Sequence, residues 1–190
     1  MKLKKNWIVN IAFVVGILIL LFTPVGFRVK VLANRLLSGS AALVKEKMQV
    51  SLDTYSWELV DLEGRSFDFE SKKGEVVLVN FWATWCPPCV AEMPSMQKLY
   101  LDYGEKVTFM FVTDDNREKV VNFLKKRDMD LPVYYSISQQ PEMLSSRLLP
   151  STYIINKEGK IVVAETGAAD WNSSNTRELL DALLGESSRE

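Results

Sequence analysis

The sequence predicts an α/β domain in which a mixed central sheet is covered by helices on both faces, preceded by one transmembrane helix. Three observations lead to this prediction. Apolar, β-prone segments alternate along the chain with segments of helical periodicity. The most apolar of these strands, residues 76–82, leads into Cys86-Pro87-Pro88-Cys89 and then directly into a predicted helix. Residues 6–27 carry no charge over 22 positions.

The composition excludes several kinds of site. The chain has 190 residues and a net charge of −1, so its charge does not suggest a nucleic-acid partner. It has no histidine, which removes Cys–His pairs and histidine-bound zinc, and Val90 stands where a haem-attachment motif needs histidine. Two cysteines cannot complete a four-cysteine metal site within one chain, although a site shared by two chains stays open. We therefore predict no metal and no cofactor.

The apolar N-terminal segment predicts a membrane anchor. As a helix, residues 6–27 would be about 33 Å long, and the hydrocarbon core of a bilayer is about 30 Å thick. Trp7 lies at one edge, where indole rings prefer the interface, while Pro24 and Gly26 mark the other edge. Two alternatives stay open: a signal peptide cleaved near residues 31–33, and a buried core helix.

The charges around this segment suggest how the chain is oriented. Three lysines precede it and three basic residues follow by position 35, so the two sides are nearly balanced. A short basic tail before a first span is typical of a signal anchor, so we expect a cytoplasmic N-terminus. The predicted regions are residues 1–27 as tail and transmembrane anchor, 28–50 as a linker, and 51–190 as the soluble domain. The linker would be amphipathic or loosely helical, with a break at residues 38–40.

The soluble domain is predicted from periodicity and turn residues. Residues 56–70 alternate apolar and polar positions around Glu63-Gly64, which indicates a hairpin. Further strands are expected over residues 76–82, 107–113, 131–136, 151–156 and 160–165. Helices are expected over residues 87–103, 116–127, 141–148 and 175–184. Pro94 should kink the first of these helices, and Asp115 with Glu118 indicates a capping box for the second.

The two cysteines are placed to exchange disulfides. At a helix N-terminus, free backbone N–H groups and the helix dipole favour a thiolate, so the pKa of Cys86 should lie below the value of about 8.5 for a free thiol. Cys86, as the exposed cysteine, would attack a substrate disulfide, and Cys89 would resolve the mixed disulfide. Pro87 and Pro88 remove two backbone donors and should limit the fall in pKa. A disulfide that closes so short a loop stabilises little, so the pair indicates chemistry.

Other residues are candidates for the same site. Trp82 and Trp85 would form an apolar shelf beside the sulfur for a protein partner. Glu92 lies one helical turn after Cys89, where it would pass a proton to or from that cysteine, or else be a solvated surface residue. Pro150 precedes a strand, where an X-Pro bond can be cis although trans is the common form.

The region around the dithiol resembles the active site of the thioredoxin superfamily, closest to its membrane-anchored TlpA/ResA-like thiol–disulfide oxidoreductases. The similarity covers roughly residues 50–185. It rests on Phe81-Trp82-Ala83-Thr84-Trp85-Cys86-Pro87-Pro88-Cys89, on Glu92 and Pro94, and on Pro150-Ser151-Thr152-Tyr153-Ile154-Ile155-Asn156 with Gly159. It implies a thioredoxin-like fold with an N-terminal hairpin and an extra strand and helix inserted over residues 131–148.

The resemblance also implies roles for individual residues. Cys86 and Cys89 would form a redox-active disulfide, and Glu92 matches the glutamate that tunes these cysteines. The Leu149–Pro150 bond is expected to be cis, in a loop that faces the dithiol and presents its backbone to the substrate. The expected substrate contacts are Trp85, Pro87, Pro88, Leu149 and Pro150.

Two positions depart from the family pattern. Asn80 stands where thioredoxin has a buried aspartate, so Glu92 is expected to take over that proton relay. Leu149 and Ser151 replace the usual glycine before and threonine after the proline, which leaves the partner open.

The resemblance implies an extracytoplasmic enzyme of the bacterial cytoplasmic membrane that reduces protein disulfides. Its substrate could be the cysteines of apocytochrome c, and it would need electrons from a membrane donor. Two alternatives stay open. A thiol peroxidase of the same fold usually needs an arginine near the reactive thiol, and none lies near Cys86 in sequence. A metallochaperone would hold copper or zinc through the two thiolates, and a metal assay on reduced protein would identify it.

Overall fold

The computed structural model describes residues 2–39, 50–145 and 148–185. Two helices, α1 (Lys2–Phe22) and α2 (Pro24–Leu37), precede the domain. The domain's strands are β1 (Glu58–Asp61), β2 (Ser66–Asp68), β3 (Val77–Phe81), β4 (Thr108–Val112), β5 (Val133–Ser136), β6 (Ser151–Ile155) and β7 (Ile161–Thr166). Its helices are α3 (Pro87–Tyr103), α4 (Arg117–Arg127) and α5 (Ser174–Gly185), with 3-10 turns at Phe69–Lys72 and Glu142–Leu144.

The strands form one mixed sheet in the order β2-β1-β5-β4-β3-β6-β7. β3 pairs in parallel with β4 and antiparallel with β6, and all five of its residues are buried. Such a strand is expected to be apolar on both faces, which is why residues 76–82 are apolar except for Asn80. The chain leaves the end of this central strand and enters the cysteine turn, so the dithiol lies just beyond the C-terminal end of a fully buried strand.

The helices of the domain lie on one face of the sheet rather than on both. Apolar residues of α3, α4 and α5 share one cluster with alternate strand residues such as Leu78 and Phe111. The neighbouring positions Val77 and Val79 belong to a second cluster, which is completed by the hairpin and by Leu144. The α-helices expected on both faces therefore lie on one face, while the other face is covered, among the described residues, by the hairpin and the 3-10 turns. Because β3, β4 and β5 follow one another in the same direction across the sheet, right-handed crossovers place α3 and α4 on the same side.

The N-terminal apolar segment is not one helix. α1 ends at Phe22, and α2 begins at Pro24, which suits the first position of a helix because it has no N–H to satisfy. Thr23 caps α2, since its hydroxyl accepts a hydrogen bond from the Gly26 N–H at 3.2 Å. The prediction of one continuous helix over residues 6–27 is therefore wrong, because the helix is interrupted at Thr23. No described helix is by itself long and apolar enough to cross a bilayer, whereas Val9–Ile19 and Pro24–Leu36, bent by 77°, meet that length and composition together.

The linker and one short helix also differ from expectation. α2 ends at Leu37 with Ser38 as its C-cap, in agreement with the predicted break, and the rest of the predicted linker helix up to residue 48 lies outside the described residues. The helix predicted over residues 141–148 is only the turn Glu142–Leu144 in the described part of that segment. Ser145 already has an extended backbone, and serine competes with helix formation by bonding locally.

The other elements predicted for the domain are confirmed, with small differences at their ends. The hairpin buries Trp57, Leu59 and Phe69 as expected, whereas Phe67 is half-buried. Pro94 lies inside α3, which continues past it to Tyr103.

The capping box predicted for α4 is wrong. Asn116 caps this helix, and its side chain accepts a hydrogen bond from the Lys119 N–H at 3.1 Å. Asp115 instead accepts hydrogen bonds from the Thr84 N–H at 2.9 Å, from the Thr84 hydroxyl, and from the Asn116 N–H at 2.8 Å. Asp115 thereby joins the loop before Cys86 to the segment that follows β4.

We expect Asp115→Ala to lower the free energy of unfolding by about 1–3 kcal/mol, because the Thr84 N–H and hydroxyl lose their acceptor. Asp114→Ala is the matched control, since Asp114 is exposed and no described residue forms a hydrogen bond with its carboxylate. Urea unfolding of the oxidised full chain in detergent measures both. Equal losses for the two variants would contradict the anchoring role of Asp115.

Candidate active site

Cys86 and Cys89 form a disulfide at the N-terminus of α3, with their Cα atoms 5.3 Å apart. Cys86 is the N-cap of the helix, and its Sγ accepts a hydrogen bond from the Cys89 N–H at 3.3 Å. Pro87 and Pro88 occupy the first two helical positions and offer no N–H. The sulfur of Cys86 therefore faces a helix start that is depleted in donors.

The expectation that Cys86 is exposed is wrong for the disulfide form. Its exposed fraction is 3%, against 0% for Cys89. Cys86 packs in the same apolar cluster as Trp82 and Ala83, which limits its contact with solvent. The order of exposure agrees with the sequence-based expectation, but the difference is small.

Glu92 points into the protein, as the proton-relay alternative required, and is 2% exposed. Its Oε1 accepts a hydrogen bond from Asn80 Nδ2 at 2.8 Å. Its Oε2 accepts hydrogen bonds from Trp171 Nε1 at 2.9 Å and from the Ala169 N–H at 3.3 Å. All three partners are donors, and they come from β3 and from the loop between β7 and α5. The alternative of a solvated surface glutamate is excluded.

Burial raises the pKa of Glu92 from 4.5 to about 7. The cause is desolvation, because a charge removed from water is disfavoured. The hydrogen bonds from Trp171, Asn80 and Ala169 favour the charged form and oppose this rise, while the negative charge of Glu165 adds to it. A carboxyl group with this pKa changes its charge near neutral pH, so it can both accept and release a proton there.

Asn80 connects Glu92 to the strand that follows the proline loop. Asn80 is fully buried, and its Nδ2 also donates to Thr152 Oγ1 at 2.8 Å. In the register of β3 and β6, Asn80 lies opposite Thr152 and Phe81 lies opposite Ser151. Pro150 is the next residue outward, so the proline loop lies beside the end of β3 from which the chain enters the cysteine turn.

The Leu149–Pro150 peptide bond is cis, which confirms the expectation from the family resemblance. Trp85, with 62% of its surface exposed, and Leu149 line a cavity of about 520 Å³ together with Trp82. These are the predicted substrate contacts that the structure brings together. Pro87 and Pro88 are half-buried at the start of α3, outside this cavity lining, and Pro150 is buried.

Two buried donors at this cavity lack a partner among the described residues. They are Trp82 Nε1 and the hydroxyl of Tyr135 on β5, and both side chains line the cavity. A buried donor without an acceptor costs free energy, so such groups are commonly satisfied by a ligand or water. Both atoms are shielded from solvent, so the cavity presents mainly its apolar lining around the exposed Trp85 to a bound group.

Sequence reasoning missed several residues of this site. Trp171 lies 79 positions from Glu92, and nothing in the loop around it indicates that its indole N–H reaches a carboxylate. Thr152 was part of a family motif but was given no role. Asp115 was identified as a cap, although it holds the loop that carries Thr84. These contacts depend on which strands become neighbours, and local sequence patterns do not contain that information.

Comparison with known proteins identifies the family of this chain. The family model described as Redoxin matches residues 40–183. A thiol-disulfide oxidoreductase ResA from Bacillus cereus is 34% identical over 187 residues, which is 96% of this chain and 97% of the relative. The ResA from Bacillus subtilis is 29% identical over 170 residues, 88% of each chain.

A solved structure shows that the fold is also shared. The thiol:disulfide interchange protein of the thioredoxin family from Chlorobium tepidum matches 72% of this chain and 98% of its own, with a TM-score of 0.57 and 24% identity. The family resemblance inferred from the residues around the dithiol is thus confirmed. Taken with the Cys86–Cys89 disulfide, these similarities place the chain in the Redoxin family, within the thioredoxin superfamily, as a thiol–disulfide oxidoreductase similar to ResA.

Proposed function

We propose that this oxidoreductase reduces protein disulfides outside the bacterial cytoplasm, and that its N-terminal helices hold it at the cytoplasmic membrane. Cys86 is the attacking residue and Cys89 the resolving residue. Apocytochrome c cysteines are the proposed substrate, in keeping with the family resemblance, and a membrane protein supplies the electrons. Residues 1–27 would act as the anchor, 28–50 as the linker and 51–190 as the catalytic domain.

The observation that carries the reductive direction is the scarcity of donors around Cys86. Among proteins with a redox-active cysteine pair, the strong oxidants are those whose reduced, thiolate form is stabilised. Here Pro87 and Pro88 remove two N–H groups from the first turn, and one hydrogen bond, from the Cys89 N–H, reaches the sulfur. The thiolate gains less stabilisation than at a helix start with all its donors, so the dithiol gives up its electrons more readily.

Glu92 supports the same direction and supplies the proton step. When ionised, its buried carboxylate repels a thiolate one helical turn away and thereby destabilises the reduced, charged form. Its pKa of about 7 also suits it to take a proton from the Cys89 thiol and return it later.

The reaction then follows ordinary thiol–disulfide exchange. The Cys86 thiolate attacks one sulfur of the substrate disulfide, and the other substrate sulfur leaves as a thiolate. Cys89 transfers its proton to Glu92, and its sulfur attacks Cys86 Sγ, which releases the second substrate sulfur as a thiolate. Two electrons pass from the dithiol to the substrate, the Cys86–Cys89 disulfide forms, and the substrate thiolates take protons from Glu92 and solvent.

The cavity beside the dithiol supports a polypeptide as the substrate. Trp85 and Leu149 offer apolar contacts for side chains, and exposed aromatic residues of this kind often anchor protein partners.

The surface of α1 and α2 supports membrane attachment. Large apolar side chains on both helices are exposed, including Trp7, Phe13, Ile17 and Leu32. Apolar surface of this extent is unfavourable in water and is normally covered by lipid or protein.

The first prediction concerns the reduction potential of the Cys86–Cys89 couple. We expect a value closer to the roughly −270 mV of thioredoxin than to the roughly −120 mV of DsbA. Replacing Pro87 and Pro88 together by alanine adds N–H groups beside the thiolate and should raise the potential by about 30 mV or more, the equivalent of roughly one charged hydrogen bond. Equilibration with glutathione or dithiothreitol buffers measures both values.

Pro94→Ala is the control for this measurement, because it makes the same substitution further along α3. Its potential should match that of the unmodified chain. A couple that equilibrates near −120 mV would overturn the reductive direction.

A second prediction identifies the substrate. Cys89→Ala should accumulate a mixed disulfide between Cys86 and its substrate, because the resolving thiol is absent. Cys86→Ala is the control and should capture nothing. Mass spectrometry of the complex isolated from cell membranes names the trapped partner, and the absence of apocytochrome c among the trapped proteins would exclude it as the substrate.

The same Cys89→Ala cells test the location, once a membrane-impermeant reductant has released Cys86 from its mixed disulfides. A membrane-impermeant maleimide then added to the intact cells should label Cys86 if the domain lies outside the cytoplasm. Labelling that requires cell lysis would contradict the proposed orientation.

A third prediction follows from the raised pKa of Glu92. Between pH 4.5 and about 7 the unfolded chain has lost this proton while the folded chain keeps it, so stability falls as pH rises through this window. The total loss is about 3 kcal/mol, and it is complete above the folded pKa. Glu92→Gln does not titrate, so its stability should lack this fall.

Urea unfolding at pH 5 and pH 8, with the exposed Glu178→Gln as control, checks this prediction. The proton role is measured separately as the rate of disulfide exchange. Glu92→Gln should slow this exchange roughly 100-fold at pH 7 if Glu92 is the base. An unchanged rate and pH profile would remove Glu92 from the proton step.

A further inference from the structure

The three groups that form hydrogen bonds with Glu92 are all donors, which matters because Glu92 is proposed to take up a proton. Asn80 Nδ2 and the Ala169 N–H are donors only, as is Trp171 Nε1. These groups match a carboxylate, which accepts hydrogen bonds and donates none. A protonated Glu92 would carry an O–H that needs an acceptor, and in the orientation observed none of these three groups provides one.

Asn80 is the one partner that carries both a donor and an acceptor on the same rotatable group. Its two N–H bonds go to Glu92 Oε1 and to Thr152 Oγ1, each at 2.8 Å. Its Oδ1 is buried and receives no hydrogen bond from any described residue. A half-turn of the amide therefore breaks no bond to Oδ1, and it exchanges the two hydrogen bonds that Nδ2 donates for two that Oδ1 accepts.

Thr152 suits either orientation of that amide. A hydroxyl both accepts and donates, and its hydrogen rotates to meet the neighbouring group. With Nδ2 facing it, the hydroxyl accepts. With Oδ1 facing it, the same hydroxyl donates, and Oδ1 can receive the O–H of a neutral Glu92 as well.

We propose that Asn80 is a positioning residue for the dithiol reaction: its side-chain amide turns over when Glu92 gains or loses a proton, and the Thr152 hydroxyl reverses its role at the same time. In one orientation the amide donates to the carboxylate and to Thr152. In the other it accepts from the carboxylic acid and from Thr152. Glu92 thus keeps a hydrogen bond to Asn80 in both of its protonation states.

This proposal rests on the proposed proton transfer between Cys89 and Glu92. Glu165 on β7 is a further charged group that acts on Glu92, and Cys89 precedes Glu92 by one turn of the same helix. An aspartate at position 80 would add a second buried carboxylate beside Glu92, whereas asparagine follows the proton without a charge of its own.

The proposal separates Asn80 from Trp171, which can only donate. Trp171→Phe removes a bond that only the charged form of Glu92 uses, so it should raise the titration midpoint of Glu92 by roughly one to two pH units. Asn80→Leu removes a bond from both forms, so the two losses partly cancel. We expect it to raise the midpoint by roughly half as much as Trp171→Phe, or less.

Nuclear magnetic resonance of the oxidised full chain in detergent micelles tests this. Carbon-13 labelling of glutamate follows the Glu92 carboxyl, and nitrogen-15 labelling of asparagine follows the Asn80 amide in the unmodified protein. The two Nδ2 proton signals should move through a transition whose midpoint coincides with that of Glu92, and Thr152→Val should reduce the size of this transition.

Asn80 signals that stay constant while Glu92 titrates would overturn the proposal, as would an Asn80→Leu midpoint raised as far as that of Trp171→Phe. The measurement on the unmodified protein needs no variant, so it stands even if Asn80→Leu does not fold. Failure of the proposed proton transfer is recognised separately, by an exchange rate that Glu92→Gln leaves unchanged, and failure of the reductive function by a reduction potential near that of a strong oxidant.

Discussion

The buried carboxyl group of Glu92 is the interaction on which the rest of the site depends. Removing a carboxylate from water is costly, and the protein offsets part of that cost with donors from two segments that are distant in sequence, β3 and the loop before α5. Because these donors are fixed by the sheet and by the packing of Trp171, the position of Glu92 is set by the whole domain. The remaining imbalance holds the pKa of the group near neutrality.

The start of α3 is the second determinant of the chemistry. A helix N-terminus normally offers about four free N–H groups, and here two prolines remove two of them from the first turn. The helix still positions Cys86 and Cys89 one turn apart, so the geometry for a disulfide is kept while the electrostatic stabilisation of a thiolate is reduced. Geometry and reactivity at this site are thus controlled by different atoms of the same turn.

The proline loop and the dithiol meet because of strand order. β6 pairs with β3 in a register that places Thr152 beside Asn80 and Ser151 beside Phe81. Asn80, which donates a hydrogen bond to Glu92, therefore lies on the strand next to the one that the proline loop enters. Asp115 adds a further constraint, since it holds Thr84 in the loop that leads to Cys86.

The sequence by itself determined what is local: the buried strand, the helix that follows the cysteines, the hairpins, and the dithiol at a helix start. These follow from side-chain periodicity and from the backbone limits of proline and glycine, which act over a few residues. The tertiary structure decided what joins distant positions: the helices on one face of the sheet, the true partner of Asp115, and the contacts of Asn80 and Trp171 with Glu92. Such pairings arise from strand order and packing, and no local pattern encodes which distant side chain will meet a buried charge.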